Sequence, residues 1–259
     1  MKKILKKLIN EEISVDEAEN LLKINNIKQI EEIANFDLSR KYRSGFPEAV
    51  LAKGKTYSDL LLIIQSYLED NNNKDKLIVT KLKNDIYKKI IRDTHNLNDF
   101  NHHYNEKGKI LIIKKEEEKD DYKYKVGLIS AGTSDIPIAE EARIILQEGG
   151  CEVVKSYDVG IAGIHRVFPK IKKMLEEDVK VLIVCAGMEG ALASVVTGLV
   201  DIPVIGVPTS IGYGIGANGK AAIYTMLQSC TPGLSVVNID NGFGAAIFAL
   251  TIIKLIENN

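Results

Sequence analysis

The chain has 259 residues, 45% of them hydrophobic, and a formal net charge of −1. That is enough apolar material for one large or two small domains with a real core, and the near-neutral balance leaves no electrostatic footprint for nucleic acid or an anionic membrane. Three cysteines at 151, 185 and 230 are too few and too scattered for a disulfide framework or a zinc site. No run approaches the ~18 apolar residues of a membrane span, so the expectation is a cytoplasmic protein.

Met1–Lys7 is basic but leads into Glu11, Glu12 and Asp16, with no targeting pattern. The spacing of Ile4, Leu5, Leu8 and Ile9, then Ile13, Ala18, Leu21 and Leu22, predicts two short amphipathic helices. Ser14 and Glu17 form a capping box for the second. The segment Arg40–Glu48, followed by Gly54-Lys55-Thr56, places Arg40, Lys41 and Arg43 beside a Gly-Phe-Pro turn. It reads either as a grip on phosphate or carboxylate or as a solvated basic loop. Leu60–Leu68 and Ile86–Ile91 read as helices, and Leu77–Thr80 and Ile110–Ile113 as strands. His102 and His103 fall in Asn/Asp-rich sequence that reads as loop. These elements predict a small α/β domain.

Character changes near residue 120. Seventeen of 20 glycines lie beyond it, while 23 of 34 lysines and arginines lie before it. The charged run Lys114–Lys125 therefore marks the expected boundary, with domains 1–120 and 121–259. From there strands and helices alternate: Lys125–Ser130, Ile136–Glu148, Glu152–Tyr157, Arg166–Glu176, Val179–Cys185, Ala191–Gly198, Val204–Val207, Gly219–Gln228, Ser235–Ile239 and Gly242–Ile256. Such alternation predicts βαβ units around a parallel sheet. The continuous apolar strands fit a sheet covered on both faces. Ligands in such sheets bind beyond the carboxyl ends of the strands.

The chemistry-bearing residues collect in the loops. Ser130, Gly132, Thr133, Ser134 and Asp135 follow the first strand, and small and hydroxyl residues before a helix suit a phosphate. Asp135 is either functional or the helix cap. His165 and Arg166 follow the second, where the histidine serves proton transfer or merely the turn. Gly187, Met188 and Glu189 follow the third, an acidic variant of a phosphate-type turn. The glycine-rich Pro208–Gly219 follows the fourth as a loop able to fold over a ligand, and Asn241 and Gly242 follow the fifth. Cys151 and Cys185 read as packing. Cys230, in Ser229-Cys230-Thr231-Pro232-Gly233, reads as a thiol available for covalent chemistry on a nucleotide.

Ser134-Asp135, Ile164-His165-Arg166 and Gly187–Leu192, in that order, resemble the PurE-type aminoimidazole ribonucleotide carboxylase and mutase family. The runs Ser130–Asp135, Asp158–Arg166, Ala186–Leu192, Ser229–Gly233 and Asn238–Gly242, with Arg40–Glu48 and Gly54-Lys55-Thr56, are more similar still to the LarB family. That family makes the pyridinium biscarboxylate mononucleotide precursor of the nickel-pincer cofactor. The resemblance spans nearly the whole chain. Ala193 replaces an expected proline, and Thr80-Lys81 stands where the family often has Thr-Arg. The implied fold is a PurE-like parallel-sheet three-layer sandwich preceded by a small α/β domain, assembled as a homo-oligomer, an octamer by analogy.

The resemblance implies carboxylation of the pyridinium ring of nicotinic acid adenine dinucleotide by carbon dioxide, and cleavage of its phosphoanhydride to release AMP. A pyridinium carbon is no nucleophile. Addition of the Cys230 thiolate at ring carbon 4 creates an enamine whose carbon 5 attacks carbon dioxide. A base then removes the proton from carbon 5, and thiolate leaves as aromaticity returns. The implied base is Asp135 or His165, with Glu189 next, for proton transfer or for holding a divalent ion such as magnesium. No organic cofactor is implied. Ser130, Thr133, Ser134 and the amides of Gly187 and Gly242 would hold phosphate or carboxylate groups, with Gly132, Met188, Asn241, Arg166, Arg40 and Arg43 completing the substrate site. The alternatives are an aminoimidazole ribonucleotide carboxylase or mutase and a non-catalytic nucleotide-binding module.

Overall fold

Ser14 and Glu17 pair as their spacing predicts: the Ser14 hydroxyl accepts from the Glu17 amide at 3.1 Å, and the Glu17 carboxylate accepts from the Ser14 amide at 2.8 Å. This computed structural model describes residues 2–22, 27–30, 34–37, 46–69, 76–115 and 123–257. The chain divides into two units, Met1–Glu118 and Lys119–Asn259.

In the first unit the capping box opens α2 (Val15–Leu22), which follows α1 (Lys2–Ile9). β1 (Ile27–Ile30) and β2 (Ala34–Asp37) form an antiparallel ribbon. β3 (Ala49–Leu51) runs parallel to β4 (Leu77–Thr80), with α3 (Tyr57–Leu68) as the crossover. A second capping box, Thr56 with Asp59, opens α3. After α4 (Asn84–Asp93), the hairpin β5 (Asn101–Asn105) and β6 (Ile110–Lys114) completes a sheet of order β3-β4-β6-β5. Leu60, Ile63 and Ile64 of α3 pack on Leu77, Val79 and Leu111 of the sheet, each burial stabilising by roughly 1.5–3 kcal/mol.

The loop expected around His102 and His103 is instead a strand. Both lie in β5, paired with Ile113 and Ile112 of β6. Their neighbour Tyr104 stacks on Tyr87, with ring centroids 4.1 Å apart, and donates to the Leu82 carbonyl at 2.8 Å. That tertiary anchoring outweighs the poor strand propensity of the flanking asparagines.

The second unit runs β7 (Tyr124–Ser130), α5 (Ile136–Glu148), β8 (Cys151–Ser156), α6 (Val167–Glu176), β9 (Val179–Ala186), α7 (Ala191–Thr197), β10 (Val204–Pro208), α8 (Lys220–Leu227), β11 (Leu234–Val236) and α9 (Gly242–Glu257). All five strands are parallel, in the order β11-β10-β9-β7-β8. Val181 to Ala186 are all buried, as a strand covered on both faces requires. Ile171 of α6, Leu192 and Val196 of α7 and Met226 of α8 form the core on one face. Helices α5 and α9 cover the other and pack on each other. A Cβ on Gly242 would collide with the Ile138 carbonyl of α5, so glycine lets α9 begin this close.

The strand expected at Ser235–Ile239 is shorter. Pairing with β10 ends at Val236, and the chain turns through Asp240 (φ 57°), whose amide donates to the Pro208 carbonyl. The strand order also creates a switch point. The connection leaving β7 runs to one face and that leaving adjacent β9 to the other, opening a crevice at their carboxyl ends, where open α/β sheets bind ligands.

Candidate active site

Asp135 occupies this crevice. The turn after β7 carries its carboxylate back over the strand ends. Oδ2 accepts from the Gly132 amide at 2.8 Å and Oδ1 from the Thr209 hydroxyl at 2.6 Å. The Gly187 amide donates to the same carboxylate. Gly132 follows β7, Gly187 follows β9 and Thr209 follows β10, so one side chain gathers three neighbouring strand ends. Asp135 is 3% exposed. Burial pushes its pKa above the ordinary carboxylate value; the three donors oppose that rise and the charge of Asp240 adds to it. The Asp135 side chain makes no capping bond to α5 itself, but its bond to the Gly132 amide caps the short helical turn Thr133–Asp135 that leads into α5.

Asp240 in turn accepts from the Ser210 amide at 2.8 Å, tying together the loops that follow β10 and β11. Sequence reasoning misses both Thr209 and Asp240. The signal available was the recurrence of a polar residue soon after a buried parallel strand.

Around Asp135 the expected residues divide into those committed to the scaffold and those presented outward. Ser130 is fully buried, and its hydroxyl accepts from the Asp158 amide at 3.3 Å. Arg166 donates to the Asp158 carbonyl at 3.1 Å and pairs with its carboxylate at 3.6 Å. Before this loop, the Tyr157 hydroxyl donates to Glu140 of α5 at 2.5 Å, and Arg143 grips the same carboxylate at 2.8 and 2.9 Å. Burial first, then Glu140, pushes the Tyr157 phenol upward, keeping it neutral. Asn241 caps α9 by accepting from the Gly244 amide at 2.8 Å. Gly187 admits no side chain, since a Cβ would strike the Ile211 carbonyl and approach the Thr209 hydroxyl to 2.7 Å. Thr133, Ser134, His165, Met188 and Glu189 are exposed. So are Tyr213 and Ile215, in the loop after β10.

Cys230 does not lie at this edge of the sheet. Leu234 pairs with Val204 at the start of β10, and the Gly233 carbonyl accepts from the Val204 amide at 3.1 Å. The Ser229–Gly233 turn therefore lies at the amino-terminal edge of the sheet, opposite the edge that holds Asp135. Its thiol is exposed, whereas Cys151 and Cys185 are buried. Arg40 and Arg43 lie outside the described residues. Among the described residues no three His, Cys, Asp or Glu side chains converge to hold a metal ion, and no helix is long and apolar enough to cross a membrane.

Comparison with known proteins gives two family matches. A model described as AIR carboxylase matches residues 125–259, and one described as LarB/PurE-like N-terminal domain matches residues 27–116. An uncharacterized protein of Methanocaldococcus jannaschii is 46% identical over 250 residues, covering 96% of this chain and 94% of that protein. The N5-carboxyaminoimidazole ribonucleotide mutase of Pyrococcus horikoshii is 33% identical over 136 residues, covering 50% of this chain and 72% of the mutase. Among solved structures, Treponema denticola PurE matches at 23% identity and a TM-score of 0.44, over 51% of this chain and 82% of that one.

Proposed function

The chain belongs to the LarB family, with an AIR carboxylase domain as its carboxyl-terminal half, and from that premise we propose that it carboxylates the pyridinium ring of nicotinic acid adenine dinucleotide and releases AMP. The coarser statement, a carboxylase-type enzyme, follows from the domain itself. The observation that carries the finer one is the exposed Cys230 thiol in a chain whose other two cysteines are buried.

Aminoimidazole ribonucleotide is already an enamine and attacks carbon dioxide unaided. A pyridinium ring must first accept a nucleophile. Thiolate forms a bond to carbon 4, and the ring electrons shift toward nitrogen. Carbon 5 then bonds to carbon dioxide, and Asp135 takes the proton from carbon 5. The sulfur–carbon bond breaks as the ring regains aromaticity. Water attacks the phosphoanhydride to give AMP and the doubly carboxylated mononucleotide. Ser130 and the Gly187 amide are committed within the scaffold, which leaves Thr133 and Ser134 as the outward hydroxyls for anionic groups. His165, Arg166 and Glu189 flank them. A magnesium ion would travel with the phosphates, and no step here relies on one.

Because Cys230 lies at the opposite edge of its own sheet, the thiol reaching an Asp135 crevice comes from a second copy of the chain. Exposed apolar side chains near the turn support such a contact, with Leu227 of α8 64% and Leu199 40% exposed. A homo-oligomer is part of the proposal.

The similarity to ribonucleotide mutases favours one second reading, action on a carboxylated aminoimidazole ribonucleotide. Mass spectrometry decides between the two. Incubation with nicotinic acid adenine dinucleotide, bicarbonate and magnesium should yield AMP and a pyridinium mononucleotide heavier by one carboxylate. Unchanged dinucleotide, with turnover of the carboxylated aminoimidazole ribonucleotide in a parallel tube, would replace the first reading by the second.

A further inference from the structure

We infer that Thr209 is the positioning residue for the Asp135 carboxylate, a role that rests on the reading of Asp135 as the base. The Thr209 side chain is fully buried, and its hydroxyl lies 2.6 Å from Oδ1. The backbone beneath it is fixed, because its amide donates to the Ala186 carbonyl at the end of β9 at 3.0 Å. A β-branched side chain on a fixed backbone has few rotamers, so the hydroxyl is held on the carboxylate before any ligand arrives.

The other two donors to Asp135 are backbone amides, of Gly132 and Gly187. Thr209 is thus the one donor of the three that a substitution can delete without touching the backbone. A hydroxyl also donates to the ionised carboxylate and, by rotating, accepts from the protonated one. The contact therefore persists through a proton transfer, where an amide could only repel the proton that arrives. The charge facing Asp135 from a neighbouring segment is Asp240, in the turn between β11 and α9. It acts in the direction opposite to Thr209, and substitution at Thr209 leaves it in place.

Thr209→Val keeps the shape and removes the hydroxyl; Thr209→Ser restores it. Two readouts are needed on the full-length protein. The first is the titration of Asp135 in the substrate-free chain, followed by carbon-13 NMR of labelled aspartate. The second is the pH profile of kcat and KM for dinucleotide carboxylation. Losing one hydrogen bond to the charged form should raise both the Asp135 titration and the acidic limb of kcat by roughly 1–2 pH units. KM should stay within about twofold, since the contact is made within the protein and not to the ligand, and Thr209→Ser should return both values. Should the valine chain fail to fold, Thr209→Ala is expected to give the same displacement. A titration that stays in place overturns the role of Thr209. A titration that moves while the kcat profile does not overturns the reading of Asp135 as the base.

Discussion

Two aspartates, one in each unit, show how surroundings assign a carboxylate its work. Asp93, at the end of α4, accepts from its neighbour Arg92 at 2.8 Å and from the Tyr57 hydroxyl at 2.6 Å. The Arg92 bond first, then Tyr57, holds its pKa down to about 2. Asp135 is buried, bonded to neutral donors, and shifted the other way. The first stays ionised throughout the physiological range and belongs to structure. The second is brought closer to neutrality, which is the direction a proton acceptor needs. Both sit at the ends of secondary-structure elements, so position alone does not distinguish them. Desolvation and the charge of the partner do.

The widest split between the two comes from the same change made twice. Asp135→Asn should lower kcat about 10²–10⁴-fold, the usual worth of a positioned base, with dinucleotide affinity measured by calorimetry nearly intact. Asp93→Asn should leave turnover unchanged. Equal losses of turnover and affinity at Asp135 would make it a strand clamp and erase the contrast.

Next in size is Gly187→Ala. Its new methyl group must displace Ile211 or Thr209, and overpacking of this kind costs about 1–3 kcal/mol. A lowered melting temperature should accompany weaker turnover, because the donor geometry around Asp135 depends on that turn. An unchanged melting temperature would mean that the turn yields freely and does not hold the carboxylate in place.

The smallest effect is expected from Asp93 on stability. Its folded pKa lies below the ordinary 3.8, so the ion pair contributes above that pH, and the contribution is lost as pH falls through about 2. In Asp93→Asn the melting temperature at neutral pH should drop slightly, since exposed pairs are well screened. The difference from wild type should close on acidification. A difference that grows toward low pH would contradict the assignment of Asp93 as a depressed carboxylate.

The alternation of apolar strands with helices made the second unit legible from sequence, because a strand buried on both faces leaves a continuous apolar run. The capping box at Ser14 and Glu17 was legible for a local reason, a spacing of three residues. Strand order was not, and with it went the Thr209–Asp135 bond, which joins residues 74 apart in sequence. Strand β5 escaped because its two histidines and two asparagines carry little strand propensity, and the Tyr104 contacts that fix it come from outside the strand. Cys230 teaches a different lesson. A residue just before a parallel strand lies at the amino-terminal edge, and the loops just after the strands lie at the carboxyl-terminal edge. Its separation from Asp135 within one chain was therefore implicit in the sequence pattern.

In the proposed reaction, Cys230 of one copy forms a bond to the pyridinium ring held over Asp135 of another. Mixing Cys230→Ala chains with Asp135→Asn chains, after dissociation and reassembly, tests this most directly. Neither chain should carboxylate the dinucleotide alone, and the mixed assembly should recover activity at the crevices that pair an intact thiol with an intact carboxylate. Full carboxylation by Cys230→Ala alone would contradict the covalent step, and a mixture as inactive as its components would contradict the sharing of the site between copies.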